Sequence, residues 1–186
     1  MRKALLCMLA ALVAGCATPS LTPEEMQADV AGFRLPQEPG PGSGMIYVVR
    51  PSPLGGLVRF NVFLNDQNDA SEMGHTRASQ YIFFSVPAGR HRIYSKAENW
   101  AELELTVRDG QVLYVQQETA LGIVMARNNL SQLDDTQGKF FVKTLQPGVM
   151  LKTAGPGAAP GAAPKAAGGA AAAPVKLDDL KDLLPK

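Results

Sequence analysis

Short runs of alternating apolar and polar residues dominate the chain from residue 44 onward. At 57–64 and 101–107 an apolar side chain occupies every second position, which is typical of a half-buried strand. Turn-forming residues separate the runs, among them Pro87-Ala88-Gly89 and the hairpin signal Asp109-Gly110. Further β-branched and aromatic runs lie at 45–50, 80–86, 90–95, 112–117, 121–126 and 139–145. The pattern predicts an all-β domain at 44–150, an antiparallel β-sandwich of about eight short strands.

One helical pattern precedes the predicted sandwich, inside a tether at 16–43. Thr22 is a suitable N-cap, Pro23 fits the first helical position, and Glu25 completes a capping box. Gly32 is a suitable stop. We expect this short helix to pack on the domain, with the membrane surface as the alternative.

Residues 1–15 have the pattern of a signal peptide. Arg2 and Lys3 precede an apolar run at 4–14, which is too short to span about 30 Å of hydrocarbon as a helix. The run ends Val-Ala-Gly-Cys16, which resembles the lipobox of bacterial lipoproteins. That resemblance implies cleavage before Cys16 and acylation of both its sulfur and its new amino group, whereas an ordinary secretory peptide or a buried apolar helix is the alternative. Several acyl chains would attach the protein to a membrane essentially permanently.

The residue after Cys16 is Ala17, whereas many inner-membrane lipoproteins carry aspartate there. By that comparison we expect a lipid anchor at the periplasmic face of the outer membrane. Removal of residues 1–15 takes Cys7 away, so the mature chain would have no thiol for disulfide or metal chemistry. It would also take two of the 18 basic residues, leaving 16 against 17 acidic ones. This balance gives no electrostatic reason to expect nucleic acid as a partner.

The C-terminal part has a different composition. An Ala/Pro/Gly-rich stretch at 151–175 has almost nothing to bury, which predicts a disordered linker. In the following segment, 176–186, Leu177, Leu180 and Leu184 fall at helical spacing. So short a helix is marginal alone in water, so we expect it to order on docking to an envelope protein partner.

The sequence from Gly44 to about Gln146 resembles the bacterial lipoproteins called domain of unknown function 2846. The matching pieces are MIYVVRP at 45–51, FLND at 63–66, SQYIFFSVPAGRHRIYS at 79–95 and RDGQVLYV at 108–115. The resemblance implies an antiparallel β-sandwich in a lipid-anchored envelope protein. The family has no established enzyme mechanism, so no activity is implied.

No arrangement of residues predicts catalysis, a cofactor or a metal ion. The two histidines, His75 and His91, are expected to be structural, because no metal-ligand spacing surrounds them. The acidic loop at 66–69 lacks the glycine and the glutamate of a calcium-binding EF-hand. An irregular calcium site that also uses Glu72 is the alternative to simple turn formation.

Arg50 and Trp100 are the candidate binding residues. Arg50 ends a strand before Pro51, and we expect a buried arginine paired with an acidic side chain, or else an anion contact. Trp100 lies between two predicted strands at the rim of the sandwich. It either caps the end of the core or offers an exposed face to a ligand such as a carbohydrate.

These features predict a lipid-anchored cell-envelope protein whose sandwich binds or scaffolds another component without catalysis. A periplasmic inhibitor or immunity-type protein is the first alternative. An enzyme with an unrecognised site is the second.

Overall fold

The fold was analysed in a computed structural model that describes residues 21–123 and 126–157. Two α-helices and ten strands lie in these ranges. The helices are α1 (Pro23–Val30) and α2 (Asp135–Thr144). The strands are β1 (Ser43–Arg50), β2 (Phe60–Leu64), β3 (Glu72–Thr76), β4 (Gln80–Pro87), β5 (Gly89–Lys96), β6 (Trp100–Val107), β7 (Val112–Leu121), β8 (Ala126–Leu133), β9 (Gln146–Pro147) and β10 (Val149–Met150).

The strands form two five-stranded sheets, which confirms the predicted all-β sandwich. Sheet A has the order β8-β7-β1-β4-β9, and sheet B has the order β10-β3-β2-β5-β6. Sheet B is wholly antiparallel, whereas in sheet A the pairs β1–β7 and β4–β9 are parallel. Sheet A is therefore mixed, because its central strand β1 lies between antiparallel β4 and parallel β7.

Two tight turns carry the chain from one sheet to the other. The turn at Pro87–Gly89 joins β4 of sheet A to β5 of sheet B. The Asp109-Gly110 turn joins β6 of sheet B to β7 of sheet A, with Gly110 at a φ of 71°. The prediction of a hairpin at Asp109-Gly110 is therefore wrong. The dipeptide does specify a chain reversal, but the burial of the flanking strands decides which neighbours they pair with.

The space between the sheets is filled by aliphatic and aromatic side chains from both. A polar bridge crosses it: the Gln117 side chain accepts a hydrogen bond from Thr76 Oγ1 at 2.5 Å and donates one to Ser95 Oγ at 2.8 Å. All three side chains are fully buried. The apolar residues of this core are Ile46, Val48, Val62, Leu64, Met73, Ile82, Phe84, Val86, Ile93, Leu105, Val107, Leu113, Val115 and Leu130.

A second apolar layer covers the outer face of sheet A and includes α2. The prediction of a strand at 139–145 is wrong, because this segment is the C-terminal part of that helix. Asp134 caps the helix by accepting a hydrogen bond from the Gln137 amide at 2.9 Å. Val142 then packs on the aromatic rings of β1, β4 and β7. An apolar, β-branched run alone does not separate a strand from a buried helix face.

Helix α1 lies on the domain, beside α2. The predicted capping box is confirmed, since Thr22 and Glu25 exchange both hydrogen bonds. Gly32 follows the helix end with a φ of 77°. An ion pair between Lys143 and Asp29, at 2.8 Å, joins the two helices. None of the helices in the described ranges is long and apolar enough to cross a membrane.

The strand register defines two ends of the sandwich. At the end called here the base, Ser43 pairs with Pro87, and at the opposite end Arg50 pairs with Gln80. Gly157, the last residue of the second described range, lies near Pro87 at the base. Ala154 still bridges to Ser85, so the packed chain continues past the predicted start of the linker at 151.

The N-terminal end of the described chain lies beside the middle of sheet A. Leu21 and Asp134 line the same cavity. Asp134 directly follows β8, whose last residue, Leu133, pairs with Tyr114, and Tyr114 pairs with Tyr47 near the middle of β1. The second described range ends at the base, as the position of Gly157 shows. The predicted signal peptide, Cys16 and the segment 176–186 lie outside the described residues.

Candidate functional site

Arg50 organises the end of the sandwich opposite the base. Its side chain is 0% exposed and reaches from the last position of β1 into the loop at 51–59. Nη1 donates to the Val58 carbonyl at 2.7 Å, and Nη2 donates to the carbonyls of Leu54 and Gly55 at 2.9 and 3.0 Å. One guanidinium group thus fixes three carbonyls of the same loop.

Two further contacts hold the guanidinium itself. Nε donates to Thr119 Oγ1 on β7 at 3.3 Å, and the guanidinium carbon lies 3.7 Å from the centre of the Phe60 ring. The expected acidic partner is absent: among the described residues no carboxylate forms an ion pair with Arg50. Burial lowers the pKa of Arg50 to about 10, so it stays charged at neutral pH. Carbonyl dipoles and an aromatic face therefore compensate the charge.

The loop that Arg50 holds presents apolar side chains to water. Leu54 is 44% exposed and Leu57 is 90% exposed. At the neighbouring end of β7, Leu121 is 82% exposed, and Ile123, just after the strand, is 91% exposed. These four residues are called the apolar tip. An exposed group of large aliphatic side chains on adjacent loops indicates a contact surface.

Two shallow grooves meet beneath the apolar tip at Val58. The apolar groove, of about 240 Å³, is lined by Leu54, Val58, Leu121 and Ala126 among others. The basic groove, of about 360 Å³, runs from Val58 past Leu57 to Arg59 and Lys96. Among the described residues, no carboxylate lines either groove. The site offers an apolar floor with two cations at one side.

The apolar tip was not found by sequence reasoning. The predicted strand at 57–64 begins only at Phe60. The predicted strand at 121–126 does not form as one element, because Leu121 ends β7 and Ala126 begins β8, while residues 124–125 lie outside the described residues. The glycines and prolines beside Leu54 and Leu57 are a sequence signal for a loop. The structure agrees with that signal, since Gly55 takes a φ of 65°, which ends extended structure.

Trp100 lies on the outer face of sheet B and not at the end of the core. Its ring centre is 5.2 Å from that of Phe63 and 6.5 Å from that of Tyr94. Lys96 Nζ lies 5.2 Å from the indole centre. Trp100 is 38% exposed, while Phe63 is 3% exposed. The indole therefore covers an aromatic cluster beside the basic groove, with the Lys96 ammonium over its ring and part of its surface exposed.

The remaining candidates have structural partners. His91 Nε2 lies 2.8 Å from the Pro87 carbonyl, and the Asp66 carboxylate accepts the Asn68 amide at 2.8 Å, which lowers the pKa of Asp66. Glu72 accepts a hydrogen bond from Asn61. In the described part of the chain no three His, Cys, Asp or Glu side chains are placed to hold a metal ion. These contacts are those of turns and strand ends.

Comparison with known proteins adds a relative of unknown role. No protein-family model matches the chain. The chain is similar to an uncharacterised protein of Haemophilus influenzae, with 23% identity over 142 residues. The similarity spans 76% of this chain and 80% of the relative, so it extends over most of both sequences.

Proposed function

We propose that this protein is a lipid-anchored component of the bacterial cell envelope that binds another envelope component without catalysis. The membrane anchor is Cys16, and the binding surface is the apolar tip. The observation that carries the proposal is the exposure of three large aliphatic side chains at one end of the sandwich, each above four-fifths. Leu57 lies on the loop that Arg50 holds, and Leu121 and Ile123 lie at and just after the end of β7.

The exposed side chains are sufficient to act as anchors in an interface. Burial of one leucine or isoleucine contributes about 1.5–3 kcal/mol, so three contribute roughly 5–9 kcal/mol. Association itself costs about 4–15 kcal/mol. A stable complex therefore also needs the polar surroundings of the tip, in particular Arg59 and Lys96.

The test is recovery of a partner from native membranes by the tagged mature chain. We expect a Leu57→Ser/Leu121→Ser variant to lose the partner. A matched control is Leu151→Ser, because Leu151 is 57% exposed and lies at β10, outside the tip. Equal recovery by wild type and the tip variant overturns the assignment of this surface.

The lipid anchor is tested separately by metabolic labelling with a radioactive fatty acid. We expect label in the wild-type protein and none in Cys16→Ser. Label that persists in the variant places the acyl chain elsewhere and removes Cys16 from the proposal.

A periplasmic inhibitor is the second candidate, and the fixed loop favours it. A leucine on a loop whose three carbonyls are held in place is already ordered for insertion into a cleft, which reduces the entropy lost on binding. A panel of purified envelope hydrolases tests this role. Inhibition that disappears in Leu57→Ser supports it, and absence of inhibition across the panel removes it.

A further inference from the structure

We infer that the apolar groove binds residues 177–184 of the same chain. The C-terminal segment would then act as an intramolecular strap across the apolar tip. This inference does not rest on partner binding, because docking of the segment is measured on the protein alone.

The C-terminal segment and the groove have matching apolar surfaces. Leu177, Leu180 and Leu184 fall on one face if the segment is helical, as i, i+3 and i+7. Such a helix is marginal alone in water and is stabilised when its apolar face is covered. The groove between Leu54 and Leu121 presents an apolar floor for that face.

The charges of the segment and the groove are opposite. Residues 177–184 contain three aspartates, Asp178, Asp179 and Asp182, and one lysine, Lys181, so their side chains sum to −2 at neutral pH. Arg59 and Lys96 line the basic groove beside Val58, and no carboxylate is among its described lining residues. The net attraction favours this occupant over a basic one.

Two further charged residues, Arg127 and Glu98, lie near the apolar groove. Arg127 is exposed and lies directly across from Ala120, which lines the apolar groove. Glu98, on the neighbouring turn, accepts the Ile123 amide at 3.0 Å and keeps its negative charge. The three cations Arg59, Lys96 and Arg127 outnumber this carboxylate around the groove.

The linker before the segment is long enough to reach the groove. The segment is connected to Gly157 at the base by the 19 residues 158–176. A flexible chain of this length has a root-mean-square span of about 24 Å. The distance from the base to the Arg50–Gln80 pair is about 23 Å. Effective concentration is greatest when the linker span matches the distance to the site, so docking within one molecule is favoured over docking between molecules.

The experiment compares amide chemical shifts in the mature chain, residues 16–186 with Cys16→Ser, and in the same chain with Leu177→Ser, Leu180→Ser and Leu184→Ser. We expect shift differences concentrated on the apolar tip and unchanged by dilution. Asp182→Glu is the control on the face opposite the leucines, and it should leave the tip signals at their wild-type positions. High salt should reduce the docked fraction, because it screens the rim charges.

A second readout is chemical cross-linking between Leu57→Cys and Leu180→Cys in one chain. We expect a cross-linked monomer. Tip signals that are identical with and without the three leucines overturn the inference. Shift differences that grow with protein concentration, or cross-linked dimers alone, overturn it in favour of a second copy as the occupant. Each of these results is obtained without the partner recovery experiment, so the two proposals succeed or fail separately.

Discussion

Replacement of Arg50 by methionine tests whether the guanidinium holds the 51–59 loop. Methionine retains an unbranched apolar stem and removes every donor. Three carbonyls then lose their hydrogen bonds to a charged donor, at about 1.5–3 kcal/mol each. The variant is also relieved of the cost of burying a charge. The fall in the pKa of Arg50 from 12.5 to about 10 corresponds to about 3 kcal/mol. We therefore expect a net loss of about 1–6 kcal/mol in the free energy of unfolding.

The assay is urea denaturation followed by circular dichroism, with limited proteolysis of the 51–59 loop as a local readout. Arg127→Met is the matched control, because Arg127 is an exposed arginine on β8 and should cost less than about 0.5 kcal/mol. Arg50→Lys should lie between the two, since an ammonium group reaches fewer carbonyls than a guanidinium. The reasoning is refuted if Arg50→Met keeps wild-type stability and its loop stays resistant to protease.

Three further predictions concern the packing of the sandwich. Gly138→Ala should lower the free energy of unfolding by about 1–3 kcal/mol although alanine favours helices, because the alanine Cβ would lie 2.0 Å from Cγ of the Tyr114 ring. A variant that chemical denaturation shows to be as stable as wild type, or more stable, would contradict this. Gln117→Met should lower the free energy of unfolding by about 1–3 kcal/mol, because the buried hydroxyls of Thr76 and Ser95 lose their partner. Adding Thr76→Val and Ser95→Ala to this variant should recover most of the loss. If the same denaturation assay shows no recovery, a cavity is the cause instead. Burial and the charge of Arg59 lower the pKa of His75, so the unfolded chain binds more protons and stability should fall as the pH drops through about 6.5. His75→Gln should show a smaller fall between pH 7.5 and 5.5 in urea midpoints, and parallel slopes for the two proteins would count against this account.

The sequence predicted those features that local interactions decide. The capping box at Thr22 needs only residues three positions apart, and it is present in the structure. The alternation along β6 follows from one buried face of a strand, and Leu105 and Val107 are buried while Glu104 and Thr106 are exposed. Local spacing was sufficient information in both cases.

The errors arose where distant parts of the chain decide the outcome. The segment containing Val142 is apolar and β-branched, yet it is a helix because sheet A offers an aromatic surface on its outer face. Arg50 was expected to find a carboxylate, but the backbone of its own following loop supplies the acceptors. The apolar tip combines the segments 54–57 and 121–123, which are far apart in sequence. Periodicity within a single strand does not show that two such segments lie close together in the fold.

The parallel pairing of β1 with β7 has a consequence for the order in which the protein folds. Met45 pairs with Val112, so the central strand of sheet A gains its second neighbour only after most of the domain has been synthesised. Closing so long a loop costs entropy before any contact compensates it, and folding slows as such non-local contacts accumulate. Until β7 arrives, one edge of a fully buried strand stays open to water and to other chains. The nascent protein thus passes through an aggregation-prone interval in which a chaperone that binds extended apolar segments would raise the yield of folded protein.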